Sequence, residues 1–211
     1  MAYQIKEIFY TLQGEGLNAG RPAVFCRFAG CNFWSGREQD RASAVCTFCD
    51  TDFVGTDGTL GGPFHSAAEL AALVAAQWQG DADGRRLVVL TGGEPLLQVD
   101  AALIDALHAE GFEIAVETNG SIAAPAGIDW LCVSPKSLSQ WVQRSGDELK
   151  LVWPQPGMTL SDLENSQFTH YLLQPLDDAG RASHTATCIA ACLAHPRWRL
   201  SLQTHKITGI R

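Results

Sequence analysis

Residues 86–95 read RLVVLTGGEP, and this stretch indicates the fold class. The almost continuous apolar run over residues 86–91 is typical of a strand that is buried on both faces, as strands are in parallel sheets covered by helices. The Gly-Gly pair breaks the strand, and residues 96–109 then have the composition of a helix. Gly111 is suited to end that helix in the left-handed conformation. A strand, a turn and a helix in this order predict an α/β fold.

The same alternation continues along the chain. Further strands are predicted over residues 5–10, 23–29, 113–117, 130–133, 149–153, 170–173 and 198–202. Two more long helices are predicted over residues 66–78, with Ser66 as the N-cap, and 181–194, and an exposed turn over the glycine-rich residues 56–63. A complete eight-fold barrel needs about 250 residues. We therefore expect a single domain over residues 1–211, an incomplete β/α barrel with about six mainly parallel strands and three long helices.

The composition of the chain bears on its partners and its location in the cell. The 211 residues include 15 Lys and Arg against 23 Asp and Glu, a formal net charge of -8, and no basic run, so we expect no nucleic-acid partner. The first ten residues have mixed polarity and no apolar stretch approaches the ~20 residues of a membrane span, so we expect neither a signal peptide nor a membrane partner. Seven cysteines, an odd number without a secreted-type framework, predict a reducing, cytoplasmic location.

Three of the cysteines form the most informative cluster. Cys31 follows the strand over residues 23–29, and Cys46 and Cys49 form a C-x-x-C turn fourteen residues later. Three thiolates on a four-iron cubane leave one iron open to bind and activate a ligand. A closed zinc site normally needs four protein ligands, and Cys26 could supply the fourth. A site without metal is the third possibility. The remaining cysteines, Cys26 included unless it binds zinc, are expected to be buried packing residues; they are Cys26, Cys132, Cys188 and Cys192.

Polar or glycine-rich clusters follow the predicted strands. They cover residues 92–94, 117–119, 134–136, 174–177 and 203–205. In a parallel sheet all of them lie on the carboxyl edge, where functional residues of α/β folds gather. Any one of them could be an ordinary turn, but five on one edge beside a cysteine loop favour a site. In the Gly-Gly-Glu-Pro cluster the two glycines allow a ligand to approach the bare backbone, whereas Glu94 could instead complement a helix N-terminus.

The chain resembles the radical S-adenosylmethionine enzymes in its cysteine loop and its Gly-Gly-Glu-Pro turn. Their usual spacing is C-x3-C-x-Φ-C with an aromatic Φ, which Phe48 matches, but fourteen residues separate the first two cysteines here. A long insertion at this place is similar to a subset of the 7-carboxy-7-deazaguanine synthases, which act in 7-deazapurine (queuosine) biosynthesis. Further segments similar to that family are residues 12–16 (LQGEG), Arg27, 49–51 (CDT), 91–95 (TGGEP), 117–120 (ETNG), 134–136 (SPK) and 174–175 (QP).

The resemblance implies a cluster-binding loop in which Cys31, Cys46 and Cys49 hold a [4Fe–4S] cluster. The open iron would chelate the methionine amino and carboxylate groups of S-adenosylmethionine. It also implies residues that cradle this cofactor: Phe48, Cys49, Asp50, Gly93, Glu94, Glu117, Asn119, Ser134, Pro135, Lys136, Gln174, Pro175, Leu176 and Asp177. Within this set Phe48 suits the adenine, and Lys136 suits the methionine carboxylate. As structural residues, the two would be a packing aromatic and a surface lysine.

The implied substrate is 6-carboxy-5,6,7,8-tetrahydropterin. The resemblance assigns to it Leu12, Gln13, Gly14, Arg27, Thr91 and the chain end at Arg211. A guanidinium such as that of Arg27 can fork onto a carboxylate. Glu15 and His205 are added on chemistry, because the first can accept pterin N–H groups and the second can donate at the mouth. Thr51, which would otherwise be read as a helix cap, is implied to ligate Mg²⁺ through its hydroxyl, an oxygen ligand of the kind Mg²⁺ takes.

The implied reaction is a radical ring contraction to 7-carboxy-7-deazaguanine with loss of ammonia, in which S-adenosylmethionine is regenerated. The implied enzyme class is a radical carbon–nitrogen lyase, with a flavodoxin- or ferredoxin-type electron donor and a homodimeric assembly. Two other functions remain open at this point. One is an activase that installs a glycyl radical on a partner protein, and the other is a zinc-binding interaction module.

Overall fold

The computed structural model describes residues 2–81 and 84–211, which build one nine-stranded sheet. The strands are β1 (Tyr3–Leu12), β2 (Pro22–Phe28), β3 (Gly62–Phe64), β4 (Arg86–Gly92), β5 (Phe112–Thr118), β6 (Trp130–Val133), β7 (Ser145–Trp153), β8 (Gln167–Pro175) and β9 (Trp198–Leu200). Their order across the sheet is β3-β1-β2-β4-β5-β6-β7-β8-β9, so β3 and β9 are the edges within the described part of the chain. The prediction of a mainly parallel α/β sheet that stops short of a closed barrel is confirmed, with nine strands where about six were expected.

Seven of the strands, β2 and β4 to β9, pair in parallel. The carboxyl ends of these strands therefore share one edge, as the sequence predicted, and β2 leads directly to Cys31 at that edge. β1 runs antiparallel to both β2 and β3. The exposed turn expected over residues 56–63 is wrong at its end, because Gly62 and Pro63 pair with Ile5 and Gln4 and so begin β3.

The helices are α1 (Ala67–Ala76), α2 (Ala101–Ala109), α3 (Leu160–Leu163), α4 (Arg181–Ala194) and α5 (Thr204–Thr208). The three long ones, α1, α2 and α4, are those predicted. Ser66 caps α1 by accepting a hydrogen bond from the amide of Glu69 at 3.2 Å. The second predicted helix starts five residues later than expected. Residues Pro95–Leu97 form a separate 3-10 helix, and Asp100 caps α2 by accepting a bond from the amide of Leu103.

Strand β4 is buried on both faces, as its apolar sequence predicted. Val88 and Leu90 point into the main core with Leu103 and Leu107 of α2, and Val89 points into a second apolar cluster on the opposite face. All five side chains are fully buried. Burial of each stabilises the fold by about 1.5–3 kcal/mol, an upper value because unfolded chains already bury part of this surface. This rigid central strand places the Gly-Gly-Glu-Pro turn.

A long connection, residues 29–61, joins β2 to β3 and carries the three clustered cysteines. It contains one 3-10 helix, Glu38–Ser43. Lys6 of β1 fixes its later part, since the ammonium lies 2.8 Å from the carbonyl of Val54 and forms ion pairs with Asp52 and Asp57. Of the other cysteines, three are buried as predicted and Cys192 is only half-buried. No helix in residues 2–81 and 84–211 combines the length and the apolar character needed to cross a membrane.

Candidate active site

A cavity of about 410 Å³ opens at the carboxyl edge of the parallel strands. The ends of β4, β5, β7 and β8, the turn after β6 and the segment after β9 form its walls, and the cysteine loop and the loop after β1 complete it. The clusters that the sequence analysis placed on one edge thus meet around one space. A cavity of this size fits a cofactor or small-molecule site.

Most of the residues singled out from the sequence line this cavity. They are Leu12, Gln13, Gly14, Glu15, Arg27, Cys31, Cys46, Phe48, Cys49, Asp50, Thr51, Thr91, Gly93, Glu117, Asn119, Ser134, Lys136, Gln174, Pro175, Leu176, Asp177, His205 and Arg211. Glu94 and Pro135 do not line it, and both are buried. The three cysteines and Thr51 therefore share one space with the residues assigned to the cofactor and to the substrate.

Glu94 is fully buried and connects two of the strand-end turns. Its carboxylate accepts hydrogen bonds from the amide of Leu96 at 2.9 Å, the hydroxyl of Thr118 at 2.8 Å and the amide of Asn119 at 2.8 Å. Burial raises the pKa of Glu94, against the effect of these bonds. In this geometry the carboxylate braces the turns of β4 and β5. Direct contact of Glu94 with a cofactor stays a prediction.

Gly93 brings the turn after β4 against the start of the cysteine loop. A Cβ atom added at Gly93 would lie 2.0 Å from the carbonyl oxygen of Gly30 and 2.9 Å from the Cβ of Cys31. Real Cβ atoms essentially never come within 3.0 Å of such neighbours. A residue without a side chain is therefore required here, and it leaves the backbone of Gly93 on the cavity wall beside Cys31.

The C-x-x-C turn places its two thiols close enough to influence each other. The neighbouring thiol of Cys46 lowers the pKa of Cys49 to about 6, and the same interaction raises the pKa of Cys46. Burial raises the pKa of Cys31. A lowered thiol pKa favours the thiolate, the form that binds metals. The turn is thus suited to supply thiolate ligands.

Cys26 does not supply the fourth ligand that a closed zinc site would need beside Cys31, Cys46 and Cys49. Cys26, the possible fourth zinc ligand, lies in the main core, outside the cavity, and burial raises its pKa. Nowhere in residues 2–81 and 84–211 do three or more His, Cys, Asp or Glu side chains converge on one ion position. A cubane requires no such convergence, because each cysteine binds a different iron. Cys31, Cys46 and Cys49 all line one cavity, where each would bind its own iron.

The long insertion between Cys31 and Cys46 supports the C-x-x-C turn. Arg41, at the end of its 3-10 helix, donates to the carbonyl oxygens of Thr47 at 3.1 Å and Cys49 at 3.0 Å. The same guanidinium lies 4.0 Å from the ring centroid of Trp34, a cavity-lining side chain that packs edge-on against Phe53. The insertion therefore fixes the backbone that carries two of the thiols, a role that the sequence analysis did not assign.

Lys136 lies on the cavity wall near the C-x-x-C turn and is half-buried, so it is not the solvated surface lysine considered above. Its ammonium donates to the carbonyl and hydroxyl oxygens of Ser134 and lies 5.9 Å from the ring centroid of Phe48. Burial lowers its pKa. The hydroxyl-bearing Thr51 lines the same cavity two residues beyond Cys49.

An ion-pair network that the sequence analysis missed occupies the opposite wall. Lys150 of β7 is 3 % exposed, and its ammonium lies 2.7 Å from Oε2 of Glu15 and 2.9 Å from Oε2 of Glu117. Gln203 donates to the other oxygen of Glu15 at 2.9 Å, and Gln13 donates to the other oxygen of Glu117 at 3.3 Å. A lysine inside the otherwise apolar predicted strand over residues 149–153 was the signal available in the sequence.

The pKa values of the two carboxylates in this network shift in opposite directions. Burial acts to raise the pKa of Glu15, but the charge of Lys150 and hydrogen bonds from Lys150 and Gln203 outweigh it and bring the pKa to about 2. For Glu117 burial prevails and the pKa is raised. Burial disfavours charge on Lys150, yet the surrounding acidic groups raise its pKa well above the ordinary value. Glu15 is therefore a permanent acceptor at neutral pH.

A second missed residue, Glu7 of β1, joins two of the predicted substrate residues. One of its oxygens accepts from Nε of Arg27 at 2.8 Å, and the other pairs with the guanidinium of Arg211. All three line the cavity. Arg211 also lies over the ring of Phe9, with 4.4 Å to the centroid. The strand pattern of residues 5–10 identified the strand but not which of its side chains faces a site.

The C-terminal segment closes one side of the cavity. Thr204 donates to the carbonyl of Gly14 through its amide and its hydroxyl, at 2.8 and 2.9 Å, and His205 packs against the same glycine, where a Cβ would lie 2.2 Å from the ring. Lys206 joins this segment to Asp50 and Asp177, both at 2.5 Å. The loop after β1, the cysteine loop and the chain end therefore enclose a common volume.

Known proteins resemble this chain in both sequence and fold. No protein-family profile matches the chain. It is 65 % identical over 211 residues to 7-carboxy-7-deazaguanine synthase of Bradyrhizobium diazoefficiens and 62 % identical over 210 residues to that of Caulobacter vibrioides, each covering 100 % of both chains. The crystal structure of QueE from Escherichia coli, 28 % identical, has a TM-score of 0.66 and covers 97 % of this chain and 95 % of its own. The chain belongs to the 7-carboxy-7-deazaguanine synthase family of radical S-adenosylmethionine enzymes.

Proposed function

We propose that this protein converts 6-carboxy-5,6,7,8-tetrahydropterin to 7-carboxy-7-deazaguanine with loss of ammonia, a step of 7-deazapurine (queuosine) biosynthesis. The observation that carries this proposal is the shared cavity. Its walls bring three cysteines together with Arg27 and Glu15, residues able to bind a carboxylate and N–H groups, in a chain 65 % identical to a synthase of this name.

The [4Fe–4S] cluster belongs at the cysteine wall, held by Cys31, Cys46 and Cys49. When bound there, the cluster and S-adenosylmethionine supply one-electron chemistry that abstracts a hydrogen atom from the substrate. The protein supplies the thiolate of Cys49 and a backbone fixed by Arg41. The described lining residues include three cysteines, so one iron of a bound cluster would be left for the amino and carboxylate groups of S-adenosylmethionine.

The cofactor cradle is formed by the turns after β4, β5, β6 and β8. The aromatic ring of Phe48 can stack on the adenine. The ammonium of Lys136, which lies 5.9 Å from the centroid of that ring, offers a positive charge for a carboxylate. The bare backbone at Gly93 lies against Cys31, so a ligand of the open iron can contact it. Glu94 does not line the cavity, but it stabilises the cradle because its carboxylate fixes the turns after β4 and β5.

The substrate belongs between the cofactor and the loop after β1. The guanidinium of Arg27 suits the pterin carboxylate, because its remaining N–H groups are donors in a fixed fork. Glu15 accepts N–H groups of the pyrimidine ring, since its carboxylate stays ionised at neutral pH. Leu12, Gln13, Gly14, Thr91, His205 and Arg211 complete the wall.

Mg²⁺ belongs near Thr51, whose hydroxyl is an oxygen ligand of the kind this ion takes alongside substrate oxygens and water. Thr51 lines the same cavity as Arg27. An ion at this place neutralises the substrate carboxylate and fixes its orientation.

The assembly and the electron supply belong to the same proposal. A flavodoxin- or ferredoxin-type protein delivers the electron, the protein works as a homodimer, and it resides in the cytoplasm. The free cysteines support a reducing compartment. Size-exclusion chromatography with light scattering measures the assembly, and a mass of one chain would contradict the homodimer.

Anaerobic turnover tests the activity. Cluster-reconstituted protein is reduced and incubated with S-adenosylmethionine, Mg²⁺ and the pterin, and the product is identified by mass spectrometry. We expect 7-carboxy-7-deazaguanine and ammonia in equal amounts, with S-adenosylmethionine recovered. The pterin without its 6-carboxyl group is the matched control and should give no product. Reduced protein with a full cluster that leaves the pterin unchanged would overturn the proposal, and radical transfer to a partner protein would favour an activase.

A further inference from the structure

Lys150 is the least exposed cation on the cavity wall. Its side chain is 4 % exposed, and its ammonium lies between the carboxylates of Glu15, in the loop after β1, and Glu117, at the end of β5. A buried ammonium is costly unless it is paired. Here the pairing connects two segments that approach the cavity from different sides, so the lysine determines how far apart the two acids lie.

Each of the two acids also accepts a hydrogen bond from a glutamine, through the carboxylate oxygen that is not paired with Lys150. Gln203 donates to the second oxygen of Glu15 and Gln13 donates to the second oxygen of Glu117, at 2.9 and 3.3 Å. The side-chain oxygen of Gln13 in turn accepts from the amide of Glu15 at 3.1 Å. Each carboxylate is therefore held through both oxygens, with remaining lone pairs for a ligand that offers N–H groups.

Glu148, two residues before Lys150, adds a third acid. It is 2 % exposed, accepts from the amide of Leu17 at 3.1 Å and contacts the thiol of Cys132 at 3.4 Å. Its charge, with those of Glu15 and Glu117, helps to raise the pKa of Lys150 against the effect of burial. Without Lys150, Glu15 and Glu117 would lose the charge that lies between them, and the loop after β1 would lose one of its contacts to the sheet.

We propose that Lys150 is a positioning residue for substrate recognition, which holds Glu15 and Glu117 as a pair of acceptors for the N–H groups of the pterin. This inference rests on the proposed function. It assigns to Lys150 no contact with the substrate, and its effect passes through the two acids. The lysine thereby determines affinity for the pterin. Glu117, which the resemblance assigned to the cofactor cradle, is here an acceptor for the pterin, while Phe48, Gly93 and Lys136 serve S-adenosylmethionine.

Lys150→Met, which keeps the length of the side chain and removes its charge, is the first test. In anaerobic turnover we expect KM for the pterin to rise at least tenfold, while Kd for S-adenosylmethionine changes less than twofold. A pterin KM within twofold of wild type would overturn the inference. So would equal losses of affinity for pterin and S-adenosylmethionine, because a merely structural lysine would weaken both.

A second variant covers the possibility that the single substitution unfolds the protein. Lys150→Met combined with Glu117→Gln also removes one of the two acids that lost the charge of Lys150, and should restore the melting temperature to near the wild-type value, while the pterin KM stays at least tenfold raised. A folded double variant with wild-type KM would overturn the inference. Arg197→Gln is the matched control for lost stability, because this guanidinium contacts Tyr171 and the carbonyl of Glu164, away from the cavity. It should lower the melting temperature and leave KM unchanged.

Measurements on the wild-type protein distinguish a failure of the role of Lys150 from a failure of the proposed function. If active wild type and Lys150→Met have the same pterin KM, only the role of Lys150 falls. If fully loaded wild type leaves the pterin unchanged, the proposed function falls, and the inference falls with it.

Discussion

The Oε1 atom of Glu7 lies 2.8 Å from Nε of Arg27, and the second carboxylate oxygen of Glu7 pairs with Arg211, 204 positions away along the chain. One carboxylate on β1 thus orders two guanidinium groups on the cavity wall. Since a guanidinium has five N–H donors, Arg27 keeps donors for a ligand after this pairing. The chain end is brought to the cavity by the same contact.

Glu7→Gln tests this arrangement. An amide can accept through only one oxygen, so one of the two arginines loses its partner and gains freedom. We expect the pterin KM to rise about three- to thirtyfold, the equivalent of roughly 0.7–2 kcal/mol for charge-assisted hydrogen bonds, with little change in kcat. Steady-state kinetics measures both, and an unchanged KM would show that the pairing does not serve substrate binding. Glu69→Gln, a change at an exposed position on α1 outside the cavity, is the control.

Arg41→Gln tests the role of the long insertion. Loss of the bonds to the carbonyls of Thr47 and Cys49 frees the C-x-x-C turn, so we expect the reconstituted cluster to be lost to a chelator about tenfold faster, with secondary structure unchanged. Absorbance near 400 nm and iron content follow the loss. Arg37→Gln, at an exposed position of the same insertion, is the control. Equal rates of loss for both variants would contradict the role of Arg41.

Glu94→Gln tests the brace between the turns after β4 and β5. The amide nitrogen of the new side chain would face another donor, either the amide of Asn119 or that of Leu96 and the hydroxyl of Thr118. Because the site is fully buried, an unpaired donor there costs about 1–3 kcal/mol. We expect a loss of this size in the free energy of unfolding, measured by urea denaturation of the cluster-free protein. A loss below ~0.5 kcal/mol would show that the carboxylate is not a structural brace.

The acid stability of the protein should depend on Glu15. Its pKa is about 2 in the folded protein against an ordinary value of 4.5, so its ionised form stabilises the fold above pH 4.5, and this contribution is lost as the pH falls toward 2. Glu15→Gln removes that dependence. We expect the free energy of unfolding of wild type to fall more steeply than that of the variant between pH 4.5 and 3. Parallel curves would contradict the lowered pKa of Glu15.

The fold was predictable where one physical signal dominated. The apolar run of β4 and the cap at Ser66 were such cases, because burial and local hydrogen bonding act over a few residues. The start of α2 was not, since Asp100 competes with Pro95 as a helix start and only the packed turn decides. The pairing of Gly62 and Pro63 with β1 was also hidden, because their composition is that of a turn and the partner strand lies far away in the sequence.

The residues of the candidate site also fall into those that the sequence identified and those that it did not. Motif residues such as Cys49 and Gly93 were found because their chemistry is visible along the sequence. Lys150 and Glu7 were missed, because a charged residue in a strand gives no sign of its partner until the sheet is assembled. Glu94 was named for its motif, yet its bonds to Thr118 and Asn119 could be seen only in the fold.

The central claim is that Cys31, Cys46 and Cys49 hold a cluster with one iron free for S-adenosylmethionine. Electron paramagnetic resonance of the reduced, reconstituted protein, recorded with and without S-adenosylmethionine, tests it most directly. We predict about four irons per chain and a cluster signal whose g-values shift when S-adenosylmethionine is added. Cys192→Ala should behave in the same way, and Cys49→Ala should lose the cluster. A cluster signal unaffected by saturating S-adenosylmethionine, or a protein that binds zinc and no iron, would contradict the account.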